Sequence, residues 1–159
     1  MTVTLPDASR RVAEAAKTLG LAIDIVQHEA PTRTAEEAAA ACGCDVAQII
    51  KSLVFRGKTS GKPYLLLVSG KNRVNEKGVA AHLGEKLERP DATYVREVTG
   101  YAIGGIPPLG HATKLDTFVD TDLMDFATVW AAAGTPNTVF EVRPKALADA
   151  VGASVIGVG

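Results

Sequence analysis

Histidine and cysteine are scarce in this sequence, which has three histidines and two cysteines in 159 residues. His28, His82 and His111 form no pair with the spacing of metal ligands, and neither an H-E-x-x-H nor a C-x-x-C motif is present. A G-x-S-x-G nucleophile elbow is also missing. These absences argue against a zinc site and a serine nucleophile, and since no cofactor motif occurs, the sequence predicts no metal and no cofactor.

Long apolar runs are missing as well. No segment reaches the length of a membrane-spanning helix, and the N-terminus has no signal-peptide pattern. Cys42 and Cys44 lie too close together to build a disulfide framework. With 47% apolar and 22% charged residues, the composition is that of a globular protein. We therefore expect a single domain over residues 1–159, located in the cytoplasm and without a membrane partner.

Charge is nearly balanced over the whole chain, with a net charge of −1, but it is unevenly distributed. Residues 51–77 hold seven basic residues and one acidic residue, Glu76. A local basic field of this kind can attract phosphates. The candidate nucleic-acid-binding residues are Arg56, Lys58, Lys62, Lys71 and Arg73. The alternative is a solvated hairpin that carries lysines on its turn.

Capping residues mark the starts of most predicted helices. Thr34 and Glu37 have capping-box spacing ahead of an alanine-rich stretch, and Asp45, Asn75 and Asp91 each precede a short helical pattern. Further helices are expected from Ser9 to Gly20, over 144–151, and from Asp122 to Gly134, where Leu123, Phe126, Val129 and Trp130 share one face. Strands are predicted at 21–27, 52–56, 64–69, 99–103, 115–120, 137–142 and 154–158.

The runs at 52–56 and 64–69 flank a segment with two glycines, which predicts a β-hairpin. Hairpins mixed with helices are typical of α+β proteins. The sequence therefore predicts one α+β domain with a curved, mixed and largely antiparallel β-sheet flanked by helices.

The segment 100–111, GYAIGGIPPLGH, is the most informative one for function. Four glycines bracket two prolines, so flexible positions surround a rigid centre without backbone donors. Gly104 and Gly105 lack a Cβ, so a ligand could approach their main chain closely. Backbone N–H groups of such a loop can hold an anion or the oxyanion of acyl transfer. A tight connection between two strands is the alternative.

Two further features leave alternatives open. Lys51 stands where a short helix gives way to an apolar strand, so its ammonium group either reaches solvent or points into a cleft as a phosphate or carboxylate partner. Cys42 and Cys44, separated by one residue, suit a redox pair or a soft metal, or else two small buried side chains.

Four motifs in register resemble one protein family. They are IIKSLVF at 49–55, YLLLVSG at 64–70, the segment 100–111, and AAGTPNTVFEV at 132–142. In this order the sequence is similar to the YbaK/ProX family of free-standing aminoacyl-tRNA editing proteins, which are related to the editing domain of bacterial prolyl-tRNA synthetases. The resemblance runs from about residue 26 to the C-terminus. It implies the YbaK-like fold and hydrolysis of the ester that joins a wrong amino acid to the tRNA 3′ end.

The resemblance also assigns roles to residues. Lys51 matches the family's key lysine, which is expected to hold the phosphate of the terminal adenosine. Gly104 and Gly105 match the Gly-Gly pair whose main chain places the ester and the attacking water, and Gly134 matches a second glycine turn at the same pocket. Thr135 stands where some relatives carry a histidine. In this interpretation Lys51, Gly104 and Gly105 are the catalytic candidates, and Lys51, Ile106, Gly134, Thr135 and His111 are the substrate-binding candidates. For His111, which the resemblance does not assign, a structural role after the turn is the alternative.

The expected function is that of a trans-editing deacylase. Its substrate would be a mischarged tRNA, chiefly tRNA(Pro) carrying cysteine, alanine or another small amino acid, and prolyl-tRNA synthetase is a further candidate partner. Water would attack the ester with help from backbone donors and the substrate's own ribose hydroxyl, because an aminoacyl ester is already activated. Two alternatives remain: a non-catalytic module that binds tRNA or a synthetase, and a thiol redox protein that uses Cys42 and Cys44.

Overall fold

The computed structural model describes residues 4–159, which form five α-helices and eight β-strands. The helices are α1 (Asp7–Thr18), α2 (Ala35–Cys42), α3 (Glu76–Leu83), α4 (Ala92–Thr99) and α5 (Pro144–Val151). The strands are β1 (Ile25–Gln27), β2 (Ile50–Gly57), β3 (Pro63–Ser69), β4 (Leu87–Glu88), β5 (Asp116–Asp120), β6 (Val129–Ala132), β7 (Thr138–Val142) and β8 (Ser154–Ile156). Two 3-10 turns, Val46–Gln48 and Thr121–Asp125, connect them. None of the described helices is long and apolar enough to cross a membrane.

The strands form two sheets. The larger sheet has the order β4-β2-β3-β5-β8, in which β2 pairs antiparallel with β3 and β4, while β5 lies parallel to β3 and β8. The smaller sheet, β1-β7-β6, is antiparallel throughout. The predicted α+β class and the mixed, largely antiparallel strand pairing are confirmed, with the strands divided between two sheets.

Strand β2 has an open edge on the side away from β3. A single parallel bridge between Ile49 and Trp130 joins its beginning to β6, and β4 covers only Arg56 and Gly57 at its end. Between these points no described strand pairs with residues 51–55 on this side. The backbone polar groups along such an edge are free to meet a ligand or solvent.

The pleat of the larger sheet separates two apolar clusters, because successive side chains point to opposite faces. Val54, Leu65 and Leu67 pack on one face against α1, α5 and the smaller sheet. Phe55 and Leu66 pack on the other face, against Val79 of α3 and other apolar residues. Both faces of β2 and β3 are thus covered, which fixes the hairpin in the centre of the molecule.

The helix starts set by local capping are confirmed. The side chains of Thr34, Asn75 and Asp91 accept hydrogen bonds from the N–H groups three residues later, at 3.1, 3.2 and 2.8 Å. Asp45 caps the first 3-10 turn through the Ala47 N–H at 3.0 Å. These side chains satisfy donors that a helix end leaves free, which is why the sequence signal was sufficient.

Two predicted elements are wrong, and a third, the first helix, is confirmed with an earlier start. Helix α1 begins at Asp7 after Pro6, and Ser9 lies inside the helix, fully buried. The helix expected from Asp122 to Gly134 is a 3-10 turn followed by strand β6, because a short apolar run fits a buried strand as well as a helix. The strand expected at 99–103 is the end of α4 and an irregular loop.

Candidate functional site

Two connected cavities lie along the open edge of β2. The larger cavity has a volume of about 670 Å³ and is bordered by α2, β6 and the loops 103–106 and 135–136. The smaller cavity has a volume of about 520 Å³ and reaches Arg73 and Arg89. Five residues line both: Lys51, Ser52, Leu53, Ile103 and Ile106. Lys51 and Ile106, two of the predicted site residues, therefore stand at the boundary between the cavities.

Lys51 is held in place by a hydrogen-bond network behind it. Its ammonium group donates to the main-chain carbonyl of Asn72. The Asn72 side-chain amide donates to Asp120 at 2.8 Å and to Asp122 at 2.7 Å. Asp120 is 1% exposed and also accepts from the Ser69 N–H at 3.0 Å. Strand β5 and the β3–α3 connection thus jointly position the lysine.

The surroundings of Lys51 favour an anionic ligand. Burial lowers the pKa of Lys51 from its ordinary value of 10.5, and Arg73 acts in the same direction, while Glu36 and Asp120 oppose the change. A phosphate or carboxylate in the cavity would stabilise the charged form of the lysine. The position therefore fits a lysine that points into a cleft, which is the second of the two possibilities left open by the sequence.

Gly105 and Gly134 lie in direct contact, although they are distant in sequence. The Gly134 N–H donates to the Gly105 carbonyl at 3.0 Å. A Cβ added to Gly105 would lie 2.7 Å from the Thr135 Cα, and a Cβ added to Gly134 would lie 2.8 Å from the Ala8 carbonyl carbon. Neither glycine lines the larger cavity. They allow two loops to pack backbone against backbone behind its wall.

Some backbone N–H groups of the glycine loop are used in hydrogen bonds within the protein, and others are not. The Gly105 N–H donates to the Ala102 carbonyl at 3.1 Å and is used within the loop. Gly104 has φ +100°, and it lines the larger cavity together with Ile106. Within residues 4–159 the N–H groups of Gly104 and Ile106 donate no hydrogen bond. These two amides have no acceptor among the described residues, and both residues border the cavity.

Thr135 and Thr138 both belong to the lining of the larger cavity. Their oxygens lie 2.7 Å apart. Ser9 of α1 donates to Thr138 at 2.9 Å, and Ser9 and Thr138 are both fully buried. The sequence identified Thr135 through the family resemblance but gave Ser9 another role, because its partner is 129 residues away.

His111 lies outside the linings of both cavities. Its Nε2 donates to the Pro107 carbonyl at 2.7 Å, and its ring meets the Tyr101 ring edge-on at 6.5 Å between centroids. Burial lowers the pKa of His111 below 6.5, so the neutral ring is favoured. In the structure the His111 side chain stabilises the proline turn through this hydrogen bond, outside both cavities.

The basic residues of segment 51–77 do not form one continuous face. Arg56 pairs with Glu88 at 2.5 Å and stacks over Tyr94, and Lys62 pairs with Asp116 at 3.2 Å. Lys58 and Lys62 lie at the β2–β3 turn, while Lys71 and Arg73 follow β3 at its other end, beside Lys51. A strand of this length separates the two groups by roughly 20 Å. The structure thus brings only Arg73, of the five candidates, into a cavity lining.

Sequence reasoning missed Ser52 and Arg89. The Ser52 Oγ is buried at the boundary of the two cavities and has no hydrogen-bond partner in the described part of the chain. Buried polar groups without partners are rare and often await a ligand or water. Arg89 is exposed, and it also pairs with Glu76 at 3.2 Å. Only the adjacency of Ser52 to Lys51 could have drawn attention to it.

The cysteines have the properties of inert thiols. Burial raises the pKa of Cys42 to about 11, and burial is also the main cause of the raised pKa of Cys44. The Cys42 sulfur lies 3.9 Å from His28 Nε2. Thiols that stay protonated are poor nucleophiles and metal ligands. In the chain from residue 4 onwards, no three histidine, cysteine or acidic side chains converge as a metal site.

Comparison with known proteins connects this geometry to a family. Residues 29–150 match the family model described as an aminoacyl-tRNA editing domain. The Bacillus subtilis protein YwhH, which is uncharacterised, is 32% identical over 126 residues, covering 79% of this chain and 80% of its own. EbsC of Enterococcus faecalis, a candidate Cys-tRNA(Pro)/Cys-tRNA(Cys) deacylase, is 26% identical over 115 residues, covering 72% of this chain and 70% of its own.

A solved structure gives the same answer for the fold. The crystal structure of a candidate trans-editing enzyme for prolyl-tRNA synthetase superposes with a TM-score of 0.92 at 46% sequence identity, and the match covers 98% of both chains. The family resemblance read from the four motifs is thereby confirmed. With its sequence matching over residues 29–150, this chain belongs to the aminoacyl-tRNA editing domain family.

Proposed function

We propose that this protein is a trans-editing deacylase that hydrolyses the ester bond of mischarged tRNA, chiefly tRNA(Pro) carrying cysteine, alanine or another small amino acid. The observation that carries the proposal is the position of Lys51 at the boundary between two connected cavities. The smaller cavity offers Arg73 and Arg89 besides Lys51, whereas the larger one is lined mostly by alanines, threonines and apolar side chains, with Lys51 and Arg33 as its basic residues. This division fits a substrate with a phosphorylated nucleotide at one end and a small aminoacyl group at the other.

In this proposal the smaller cavity receives the terminal nucleotide. Lys51, Arg73 and Arg89 supply positive charge around it. Arginine and lysine are the side chains that commonly bind phosphate, arginine through its fork of donors and lysine as a point charge. The basic groups at this end of the β2–β3 hairpin thus support binding of the tRNA 3′ end, with Lys51 on the phosphate of the terminal adenosine.

The chemistry needs no side-chain nucleophile. A water oxygen adds to the ester carbonyl carbon, and negative charge develops on the carbonyl oxygen. The free N–H groups of Gly104 and Ile106 are the donors available to stabilise that charge. The bond to the ribose oxygen then breaks, and the proton from water passes to that oxygen, which leaves a free amino acid and an intact tRNA. The neighbouring ribose hydroxyl of the substrate assists by orienting the water.

Selectivity for small amino acids follows from the walls of the larger cavity. Its lining combines the small residues Ala35, Ala38 and Ala132 with the larger side chains of Trp130 and Val139. Such a pocket rejects side chains that are too large, whereas it discriminates poorly among those that fit, by roughly 1–3 kcal/mol per methylene. We propose prolyl-tRNA synthetase as the partner whose errors this activity removes, which agrees with the descriptions of the related proteins.

The test is deacylation of tRNA(Pro) charged with cysteine, alanine, serine or threonine, by the wild type and by Lys51→Ala. The wild type is expected to hydrolyse at least one of these esters, and Lys51→Ala is expected to lose most of that activity while remaining folded. Lys145→Ala, a change at an exposed lysine of α5, serves as the matched control. Binding of tRNA without hydrolysis of any ester would instead favour a non-catalytic binding module.

A further inference from the structure

A chain of hydroxyl groups runs from helix α1 to the wall of the larger cavity. Ser9 donates to the Thr138 Oγ1 at 2.9 Å, and that oxygen lies 2.7 Å from the Thr135 Oγ1. Thr138 also reaches the Ala133 carbonyl at 3.1 Å, and Thr135 reaches the Asn137 Oδ1 at 3.0 Å. Ser9 and Thr138 are fully buried, whereas Thr135 is half-buried and borders the cavity.

The number of hydroxyl hydrogens in this chain indicates whether the Thr135 hydroxyl acts as a donor or an acceptor towards a ligand. Each hydroxyl has one hydrogen to donate and two lone pairs to accept with. If Thr138 donates to Ala133, then Thr135 donates to Thr138. If Thr138 donates to Thr135, then Thr135 donates to Asn137. Every arrangement that keeps two of these three hydrogen bonds directs the Thr135 hydrogen into the protein, and in each of them the hydroxyl accepts a hydrogen bond from a ligand.

The Thr135 hydroxyl is one of few side-chain acceptors in the larger cavity, because the lining that residues 4–159 form contains no carboxylate. None of the described residues that line the larger cavity is acidic, and Lys51 and Arg33 add positive charge. The lining itself therefore offers a cationic donor only neutral oxygen atoms, and Glu36 of α2, whose charge raises the pKa of Lys51, lies outside that lining. The group of an aminoacyl ester that only donates is its α-ammonium group, because the ribose hydroxyls can both donate and accept.

We propose that the Thr135 Oγ1 accepts a hydrogen bond from the α-ammonium group of the aminoacyl ester, with Ser9 and Thr138 as positioning residues. The assignment rests on the proposed deacylase function and names a contact within it. Every amino acid carries this group, so the contact orients the ester independently of the side chain. The size of the cavity then decides which side chains fit.

The experiment measures binding of two hydrolysis-resistant probes, 3′-amino-3′-deoxyadenosine acylated with alanine or with propionic acid. They differ only in the α-amino group, so the ratio of their dissociation constants isolates its contribution. Hydrogen bonds to charged groups predict that the wild type binds the alanyl probe about tenfold or more tightly than the propionyl probe. Calorimetry with each variant gives the ratio, and circular dichroism verifies folding.

The variants separate the contact from general structure. Thr135→Val removes the oxygen at nearly constant shape and is expected to bring the ratio close to one, while Thr135→Ser retains it. Ser9→Ala is expected to reduce the ratio with the protein folded, and Ser9→Thr to restore it. Thr113→Val, at an exposed loop position that lines neither cavity, leaves the ratio unchanged.

Equal binding of both probes by the wild type, or no binding of the alanyl probe, would overturn the assignment. A ratio unchanged in Thr135→Val would do the same. All three results are measurements of binding and do not depend on catalysis. If the wild type discriminates between the probes but hydrolyses no aminoacyl ester, the deacylase proposal fails while the Thr135 assignment stands.

Discussion

The ammonium group of Lys51 donates to the main-chain carbonyl of Asn72, and this contact places the candidate catalytic lysine between the two cavities. The side chain of Asn72 fixes the position of this residue, because its amide donates to the carboxylates of both Asp120 and Asp122. A lysine on a flexible stem would otherwise sample many rotamers. The network replaces that freedom by one position, which is what an electrostatic role at a phosphate or ester requires.

Asn72→Ala tests this network. The change leaves two carboxylates, one of them buried, without the amide that lies between them. We expect a loss of stability of about 1–3 kcal/mol in urea unfolding, because a buried acceptor loses its donor. Deacylation should fall less than in Lys51→Ala, since the carbonyl at position 72 remains. A full loss of activity at unchanged stability would contradict the positioning role and indicate direct contact with substrate.

Gly105→Ala tests the packing of the two glycine loops. A Cβ here lies 2.7 Å from the Thr135 Cα and 2.8 Å from the Gly134 carbonyl oxygen, and main-chain atoms cannot turn aside. We expect destabilisation of about 1–3 kcal/mol and a strong loss of activity, because the wall must shift. Gly157→Ala is the matched control, because its Cβ meets nothing within 4 Å, and its stability should stay within about 0.5 kcal/mol of the wild type. A stable Gly105→Ala would show that the loops separate easily.

His111 predicts a dependence of stability on pH. Its pKa is lowered by burial below the ordinary 6.5, so between the two values the unfolded chain binds more protons than the folded one. Stability is therefore fully present above pH 6.5 and decreases as the pH falls through this window towards the folded-state pKa. Thermal unfolding from pH 8 to 5 should show a smaller decrease for His111→Gln than for the wild type. His82→Gln, at an exposed position of α3, should follow the wild type.

The basic residues of segment 51–77 lie at two ends of the β2–β3 hairpin, so we expect substitutions at the two ends to affect tRNA binding unequally. Arg73 lines the smaller cavity, whereas Lys62 is already paired with Asp116 at 3.2 Å. Arg73→Gln should weaken binding and reduce the slope of log K against log salt by about 0.7, the value for one lost single-strand phosphate contact. Lys62→Gln should change the slope less. Equal effects of the two variants would mean that the turn at Lys62 also contacts the nucleic acid.

Elements with local determinants could be predicted from the sequence. Thr34, Asn75 and Asp91 satisfy N–H groups three residues away, so the signal and its cause lie within one turn. Ser9 has a capping residue's chemistry as well, yet its hydroxyl bonds Thr138 across the core. Strand β6 was missed for a different reason: its partner β7 is the next strand in the chain, but a short apolar run fits a buried strand as well as a helix.

The residues of the candidate site also fall into two groups: those that short sequence motifs identify, and those that only the folded structure reveals. Lys51 and the glycines were accessible because short motifs carry them, and the structure brings Lys51, Gly104, Ile106 and Thr135 to the larger cavity. Asn72 and Asp120 have no such motif, and their hydrogen bond joins residues 48 positions apart. Supporting residues of this kind become visible only when the chain is folded.

The hydrogen bond between Gly134 and Gly105 has a consequence for how substrate preference can change. Behind the cavity wall the two loops meet through main-chain atoms, which substitution cannot reshape without breaking the packing. This side therefore has a fixed shape, which under the proposed function would face the ester. New preferences must therefore arise from side chains elsewhere in the lining, at Ala35, Ala38 and Trp130, so diversification among related proteins should concentrate on α2 and β6.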